Sequence, residues 1–263
     1  MPDSLDASVR DAVEKGDFAL HFQPMFNGTG EDVTGLEAFL RWNVEGVGVQ
    51  KAAAFLPDLE RQPELMALVD QWVLETAVQQ GREWLDRGYA FAKLFVNIST
   101  WTSADVLKRM VAEALEKGNF PAKLLVLECP WRLMAIGAEH VFSAMAGVKK
   151  LGCSFVLDGG PLDLECLGIM TGGPIKTLKI CCQHLRELSA AEGPRSVSAL
   201  IRAWERQGIS VITMGVEDDE DSKLARSVGC RYVQGNGFKS PLSASDASSL
   251  LGLIKVAKTA FSF

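Results

Sequence analysis

The chain has 263 residues, of which 48% are hydrophobic and 23% charged, and it carries a formal net charge of -6. An acidic chain of ordinary globular composition argues against sequence-independent nucleic-acid binding, which depends on a basic surface. No apolar run reaches the roughly 18 residues needed to span a bilayer, and the polar, acidic start lacks the features of a signal peptide. We therefore expect a cytoplasmic protein with neither a nucleic-acid nor a membrane partner.

Hydrophobic periodicity predicts alternating strands and helices along the chain. Strands are predicted at 18–25, 33–42, 93–96, 124–127, 154–157, 177–180, 210–213 and 231–233. Helices are predicted at 5–15, 63–87, 103–117, 133–151, 164–170, 197–207, 219–228 and 245–258. Strands that are separated by helices form parallel sheets. About eight such units in a chain of this length predict an α/β fold of the (βα)8-barrel type.

The first two predicted strands are joined by turn residues, which makes them a hairpin. We therefore expect the first strand to run antiparallel to the second, unlike the strands of a regular (βα)8 barrel. No linker or low-complexity segment interrupts the pattern, so residues 1–263 are expected to form a single domain.

Six cysteines are present: Cys129, Cys153, Cys166, Cys181, Cys182 and Cys230. None belongs to a C-x-x-C pair, so zinc-ligand spacing is absent. We expect all six to be reduced thiols that pack in apolar surroundings as small hydrophobic side chains.

Polar residues stand at or near the ends of several apolar strands. Asn97, Glu128 and Asp158 each follow such a strand, and Glu37 lies within the second strand. Because the carboxyl ends of barrel strands meet at one rim, these four side chains are expected to lie together. Three carboxylates and an amide suit a hard divalent cation, Mg²⁺ or Mn²⁺, with Ca²⁺ as a further option. The alternative is that each of these side chains caps a helix or forms hydrogen bonds with a loop.

The same residues lie in segments that resemble EAL domains, the bacterial cyclic di-GMP phosphodiesterases. The resemblance covers about residues 10–255 and is carried in order by residues 22–25, 35–42, 70–74, 96–99, 178–180, 215–217 and 234–235. Residues 37–39 read Glu-Ala-Phe, so Phe39 replaces the leucine of the motif that names the family. The resemblance implies the EAL fold, which is similar to a (βα)8 barrel with an antiparallel first strand.

The resemblance also implies roles for particular residues. In active EAL domains two metal ions bind the phosphate and activate a water molecule. Glu37, Asn97, Glu128 and Asp158 match the residues around the first metal. The positions implied to contact the ligand are Gln23, Arg41, Lys179, Glu217 and Gln234.

Other positions depart from the family pattern. Gly159 replaces the second aspartate of the Asp-Asp pair, Cys181 replaces the aspartate after Leu-Lys-Ile, and Met214 replaces the glutamate before Gly-Val-Glu. Pro130 and Trp131 replace a Thr-Glu pair. The second metal therefore loses its acidic support. Members of one catalytic unit do not contribute additively, so we expect little or no hydrolysis.

Three hypotheses follow. The first is a receptor that binds cyclic di-GMP without hydrolysing it, with one Mg²⁺ or Mn²⁺ or with no metal, and signals to a protein partner. The second is a protein-interaction scaffold that no longer binds nucleotide, and the third is a weakly active phosphodiesterase. A homodimer is compatible with each hypothesis.

Overall fold

The computed structural model describes residues 5–89, 91–101 and 103–253, except the side chains of residues 135 and 136. Its strands are β1 Phe18–Asn27, β2 Val33–Val44, β3 Gly48–Lys51, β4 Leu94–Asn97, β5 Leu125–Pro130, β6 Ser154–Asp158, β7 Thr177–Cys181, β8 Ser210–Met214, β9 Tyr232–Val233 and β10 Leu242–Ser243. Its helices are α1 Leu5–Lys15, α2 Leu56–Leu59, α3 Pro63–Asp86, α4 Ala104–Lys117, α5 Met134–Lys149, α6 Leu164–Gly172, α7 Cys182–Glu192, α8 Pro194–Arg206, α9 Asp219–Val228 and α10 Ala244–Leu253.

Eight strands close into a barrel, in the order β1, β2, β4, β5, β6, β7, β8 and β9. Neighbouring strands from β2 to β9 run parallel around this barrel, whereas β1 pairs antiparallel with both β2 and β9. The two remaining strands attach to the barrel, β3 to β2 and β10 to β1. The predicted α/β barrel with an antiparallel first strand is therefore confirmed.

The barrel interior begins with a buried apolar layer. Its fully buried members are Met25, Phe95, Val126, Val156 and Ile212. Side chains along a strand alternate between the two faces, so the residue two positions further on points the same way. Two positions beyond four of these apolar residues lie the rim residues Asn97, Glu128, Asp158 and Met214. The strands thus place a polar layer directly above an apolar floor.

The helices cover the outside of the barrel with their apolar faces, and several begin at side-chain caps. Ser103 caps α4 by accepting from the backbone N–H of Val106, and Asp163 caps α6 by accepting from Cys166. Asp218 caps α9 through two backbone N–H groups. Within the described residues, no helix combines the length and the apolar character that crossing a membrane requires.

The structure adds elements that the periodicity did not predict, namely β3, β10, α2 and α7. Helix α7 starts directly after β7 without a side-chain cap and has few buried residues, so its periodic signal is weak. Helix α5 is interrupted at Gly137, whose φ is 155°. The last predicted helix, 245–258, is seen to Leu253, and residues 254–258 lie outside the described residues.

The expectation that all six cysteines are buried is wrong for Cys181. Five thiols are buried, but Cys181 is exposed. It is the last residue of β7, where the strand leaves the apolar interior, and it pairs with Met214 at the end of β8.

Candidate functional site

Three carboxylates and one ammonium meet at the carboxyl end of the barrel. We call Glu37, Glu128 and Asp158 the carboxylate cluster. Glu37 comes from β2, Glu128 from β5 and Asp158 from the end of β6. Glu128 is 1% exposed and Glu37 4%, so their charges are almost fully removed from water. Removing charges from water is costly unless they are paired, so these carboxylates require a counter-charge and hydrogen-bond donors.

Lys179 of β7 supplies the counter-charge. Its Nζ lies 2.6 Å from Glu37 Oε2 and also donates to Glu128 Oε1. The same ammonium lies 5.6 Å from the centre of the Phe95 ring, over the apolar floor. Lys179 is itself 1% exposed. It therefore joins β2, β5 and β7 through a buried ionic network.

Amide side chains complete the coordination of Glu37. Asn97 Nδ2 donates to Glu37 Oε1 at 2.7 Å, and Gln234 Nε2 donates to Glu37 Oε2 at 2.8 Å. The Gln234 amide also lies 3.3 Å from Gln23 Oε1. Gln23 in turn donates to the carbonyl of Lys239 at 2.9 Å. Four of the residues predicted from the sequence thus form one hydrogen-bonded chain across the rim.

The excess of carboxylates shifts the protonation equilibria of the cluster. Burial raises the pKa of Glu128 well above its usual value, and the nearby Glu37 raises it further against the attraction of Lys179. The pKa of Asp158 is raised by burial, with Lys179 opposing and Glu37 adding to the shift. Burial alone would lower the pKa of Lys179, but Glu128, Glu37 and Asp158 together raise it, which keeps the ammonium charged.

Two carboxylate oxygens in the cluster have no hydrogen-bond partner among the described residues. They are Glu128 Oε2 and Asp158 Oδ1, and both are buried. Buried oxygens of this kind suit a hard cation, which takes oxygen ligands. No group of three or more histidine, cysteine, aspartate or glutamate side chains in the described part of the chain is arranged to hold a metal. The two open oxygens of Glu128 and Asp158 could therefore supply only part of the coordination of one ion, which would draw its other ligands from water or phosphate.

The residues expected around a second metal do not supply oxygen ligands. Gly159 has no side chain, and its φ of 74° is a left-handed conformation. Cys181 and Met214 face each other across β7 and β8 with sulfur in both side chains. A magnesium or manganese ion prefers oxygen, so this half of the site does not fit a second ion.

A cavity of about 810 Å³ opens above the cluster. Gln23, Glu37, Asn97, Asp158 and Gln234 line this cavity. The cationic residues Arg41, Lys51 and Arg132 also line it, as does His21, whose pKa is lowered by burial and by the nearby Arg41. The volume lies within the range typical of small-molecule sites.

Arg41 is the most buried of these cationic residues, at 8% exposure. Burial lowers its pKa. Its Nη1 donates to the carbonyl of Leu40 at 2.9 Å, and the guanidinium carbon lies 5.8 Å from the centre of the Phe39 ring. Arginine has five N–H donors, so this backbone bond engages only part of its hydrogen-bonding capacity.

Of the five residues predicted to contact the ligand, Glu217 is the one that neither lines the cavity nor joins the hydrogen-bonded network around Glu37. Its side chain is exposed, and Glu217 is not among the described residues that line the cavity. Its backbone N–H donates to Asp221 Oδ2 at 2.9 Å. Asp221 also pairs with Arg186 at 2.6 Å and so fixes this loop to α7.

Sequence reasoning missed residues that act through tertiary contacts. Asp70 of α3 is 3% exposed, and its Oδ2 accepts from the backbone N–H groups of Ser99 and Thr100, at 3.0 and 2.7 Å. It therefore fixes the loop that follows Asn97. Arg132 was also missed, although its position two residues after Pro130 placed it beside the altered strand end.

The model of the EAL domain family matches residues 6–241. The chain is 26% identical to the signaling protein YkoW of Bacillus subtilis, over 89% of this chain and 29% of YkoW. It is also 26% identical to the bifunctional diguanylate cyclase/cyclic di-GMP phosphodiesterase MucR of Pseudomonas aeruginosa, over 90% of this chain and 35% of MucR. The chain thus spans about a third of the length of these curated relatives.

The fold is shared with a solved structure described as the PaMucR phosphodiesterase in complex with c-di-GMP. The TM-score is 0.83 and the identity 25%, with 92% of this chain and 98% of that chain covered. The match therefore covers nearly the whole chain. This chain belongs to the EAL domain family.

Proposed function

We propose that this chain is a degenerate EAL domain that binds cyclic di-GMP without hydrolysing it and signals to a protein partner. The observation that carries the proposal is the asymmetry of the site. One cavity is lined by residues that suit a nucleotide and one metal, namely Gln23, Glu37, Arg41, Asn97, Asp158 and Gln234. The residues at the second metal position offer no oxygen.

Nucleotide binding is supported by the composition of the cavity. Arg41 presents a buried guanidinium whose planar fork suits a phosphate or a guanine edge. Gln23 and Gln234 bring amide groups to the same cavity, and Phe39 presents an aromatic ring beside Arg41. The similar PaMucR phosphodiesterase was solved as a c-di-GMP complex.

The charge at the rim is compatible with nucleotide binding that uses at most one metal ion. When bound, one divalent ion would neutralise phosphate charge, and Glu128, Asp158, Glu37 and Asn97 are the residues that would hold it. Lys179 already neutralises part of the cluster, so nucleotide binding with one ion or with none is compatible with these residues. The specific ion, Mg²⁺ or Mn²⁺, is part of the proposal.

Signalling to a protein is supported by the surface next to the site. The loop after Asp158 leads into α6, where Leu164 is 78% exposed. An exposed leucine beside an altered rim loop is suited to a protein contact that senses occupancy of the cavity. A protein partner and a homodimer stay predictions.

Calorimetric titration with cyclic di-GMP, with and without Mg²⁺, tests the proposal. We expect saturable binding that Arg41→Ala weakens and that the exposed control Arg195→Ala leaves unchanged. No heat and no shift in melting temperature at saturating nucleotide would reject the receptor and favour the scaffold hypothesis. Release of linear dinucleotide would instead favour the phosphodiesterase.

A further inference from the structure

Arg132 and Glu60 form an ion pair at the cavity. Arg132 lies in the short turn of residues 131–133 that follows β5, and Glu60 directly follows α2. The guanidinium Nη2 of Arg132 donates to Glu60 Oε1. Both residues line the cavity, so the pair connects the segment between β3 and α3 with the end of β5.

The pair is partly exposed to solvent. The side chain of Arg132 is 54% exposed and that of Glu60 32%. Ion pairs in such positions contribute little to stability because water and salt screen them. Exchanging one partner for another anion is therefore inexpensive, in contrast to the buried pairs that Lys179 forms within the carboxylate cluster.

The position of the pair matters for an anionic ligand. Glu60 places a carboxylate among the cationic residues of the cavity and opposes the entry of a second negative charge. Arg132 has the chemistry that binds a phosphodiester best, since its planar guanidinium can donate two parallel hydrogen bonds to phosphate oxygens. With Glu60 as its partner, that capacity is partly occupied.

We propose that Arg132 is an anion-binding residue of this cavity and that the ion pair with Glu60 occupies its guanidinium until an anionic ligand binds. On this proposal, which rests on the proposed function, a phosphate group of the nucleotide replaces the Glu60 carboxylate as the partner of Arg132. Ligand binding then releases the segment that carries Glu60 from the end of β5. The exchange breaks one ion pair and forms another, with no covalent step.

Four proteins test the exchange by titration with cyclic di-GMP: the unchanged chain, Arg132→Gln, Glu60→Gln and the double variant. Arg132→Gln should weaken binding about tenfold, because a charged hydrogen bond to the ligand is lost. Glu60→Gln should tighten binding about threefold, because a weak competing pair is removed. The double variant should bind as Arg132→Gln does, since the gain from Glu60→Gln requires Arg132.

Matched controls come from another exposed ion pair, between Lys117 Nζ and Glu75 Oε1 at 2.6 Å. Lys117→Gln and Glu75→Gln should leave nucleotide affinity unchanged, because neither residue lines the cavity. All variants should keep the melting temperature of the unchanged protein without ligand. The titrations are repeated with inorganic phosphate, which separates recognition of the anion from recognition of the nucleotide.

The outcomes separate the two proposals. If Arg41→Ala abolishes nucleotide binding but Arg132→Gln does not change it, the exchange is overturned and the receptor function stands. If phosphate binds in an Arg132-dependent way while cyclic di-GMP does not bind, the anion site stands and the receptor function falls. No binding of either probe by the unchanged protein overturns both.

Discussion

At the scale of single residues, the site is governed by one ammonium among three carboxylates. Lys179 contacts Glu37 and Glu128 directly, and Asp158 contributes a third negative group within electrostatic reach. One positive charge cannot balance three negative charges in a buried environment. Burial is the main cause of the raised pKa values of Glu128 and Asp158, and repulsion from Glu37 adds to it against the attraction of Lys179.

We predict that Lys179→Met destabilises the protein by about 3–5 kcal/mol, the usual cost of removing one partner of a buried ion pair. Methionine fills a similar volume over the Phe95 ring, so lost packing is a minor contribution. Urea unfolding at neutral pH measures the change. Lys117→Met is the matched control, because Lys117 and Glu75 are 62% and 32% exposed in their pair, and it should cost at most about 1 kcal/mol. Equal effects of the two substitutions would contradict the structural importance of Lys179.

Asp70 provides a second prediction at this scale. Its pKa is raised from 3.8 to about 6, first by burial and also by the nearby Glu60, against the hydrogen bonds from Ser99 and Thr100. The folded protein therefore binds this proton more tightly than the unfolded chain does. The stability that this proton contributes is fully present below pH 4 and is lost as the pH rises through about 6.

We expect Asp70→Asn to remove this pH dependence. Both backbone donors use the same oxygen, Oδ2, so an asparagine oxygen can accept both bonds without a charge. Relative to the variant, the free energy of unfolding of the unchanged protein should fall by about 2–3 kcal/mol between pH 4 and pH 7. Denaturant unfolding across this range measures the difference, with the exposed Asp11→Asn as control. Parallel curves for the unchanged protein and Asp70→Asn would show that Asp70 ionises normally.

At the scale of elements, the sequence predicted those strands and helices whose local hydrophobic pattern is clear. In β4, β5 and β6 a short apolar run is followed by Asn97, Glu128 and Asp158, so both the strands and the convergence of these polar residues could be anticipated. The insertion of Lys179 between Glu37 and Glu128 could not, because it depends on the stagger of strands around the barrel. The contacts of Asp70 and Arg132 are likewise tertiary and carry no periodic signal.

The missed elements have physical reasons of the same kind. Strand β10 has two residues and exists through its pairing with His21 and Phe22. Strand β3 is an edge strand whose Val49 is 62% exposed, so no buried face reveals it. Such elements are specified by their neighbours more than by their own residues.

Gly235 supports a prediction about the loops after β8 and β9. A Cβ at this position would lie 1.9 Å from the carbonyl oxygen of Val216 and 2.4 Å from its nitrogen. The two loops are also joined by hydrogen bonds from Val216 to Gln234 and from Gly237 to Val216, at 3.1 and 2.9 Å. This close approach requires glycine, and it holds Gln234 against Glu37.

We expect Gly235→Ala to destabilise the protein by about 1–3 kcal/mol, as overpacking does, and to weaken nucleotide binding by displacing Gln234. Thermal unfolding and titration measure the two effects. Gly168→Ala in α6 is the control, since its added Cβ meets nothing within 4 Å and alanine favours helix by up to about 1 kcal/mol. A Gly235→Ala protein that is as stable as the unchanged chain would show that the two loops can separate at little cost.

At the scale of the whole molecule, the barrel keeps its architecture while one half of its rim has changed. The carboxylate cluster, Lys179, Asn97 and Gln234 come from β2, β4, β5, β6, β7 and the residue after β9. The changes lie on the adjoining positions at the ends of β6, β7 and β8. Because the two sets share the same closed barrel, the residues at the second set can differ from the family pattern without loss of the fold or of the cavity.

The loop after β6 also resists the introduction of a carboxylate at residue 159. Gly159 has a φ of 74°, a conformation that costs free energy for a residue with a side chain. At Gly160, an added Cβ would lie 2.7 Å from Leu178 Cδ1. The left-handed backbone at residue 159 favours glycine, so an aspartate introduced there would start from a strained geometry.

We predict that the protein shows no measurable hydrolysis of cyclic di-GMP in Mg²⁺ or Mn²⁺ and binds at most one of these ions per chain with nucleotide present. Gly159, Cys181 and Met214 together leave the second ion without oxygen ligands, and groups that act as one unit do not compensate for one another. Chromatographic detection of linear dinucleotide tests turnover, with an active EAL phosphodiesterase assayed in parallel. Equilibrium dialysis with Mn²⁺ counts the bound ions.

Two ions per chain, or metal-dependent release of linear product that Glu37→Ala abolishes, would show that other side chains have taken over the second site. The loop after Asp158, which carries Asp163 as the cap of α6, would then be the first place to look for the replacement ligand.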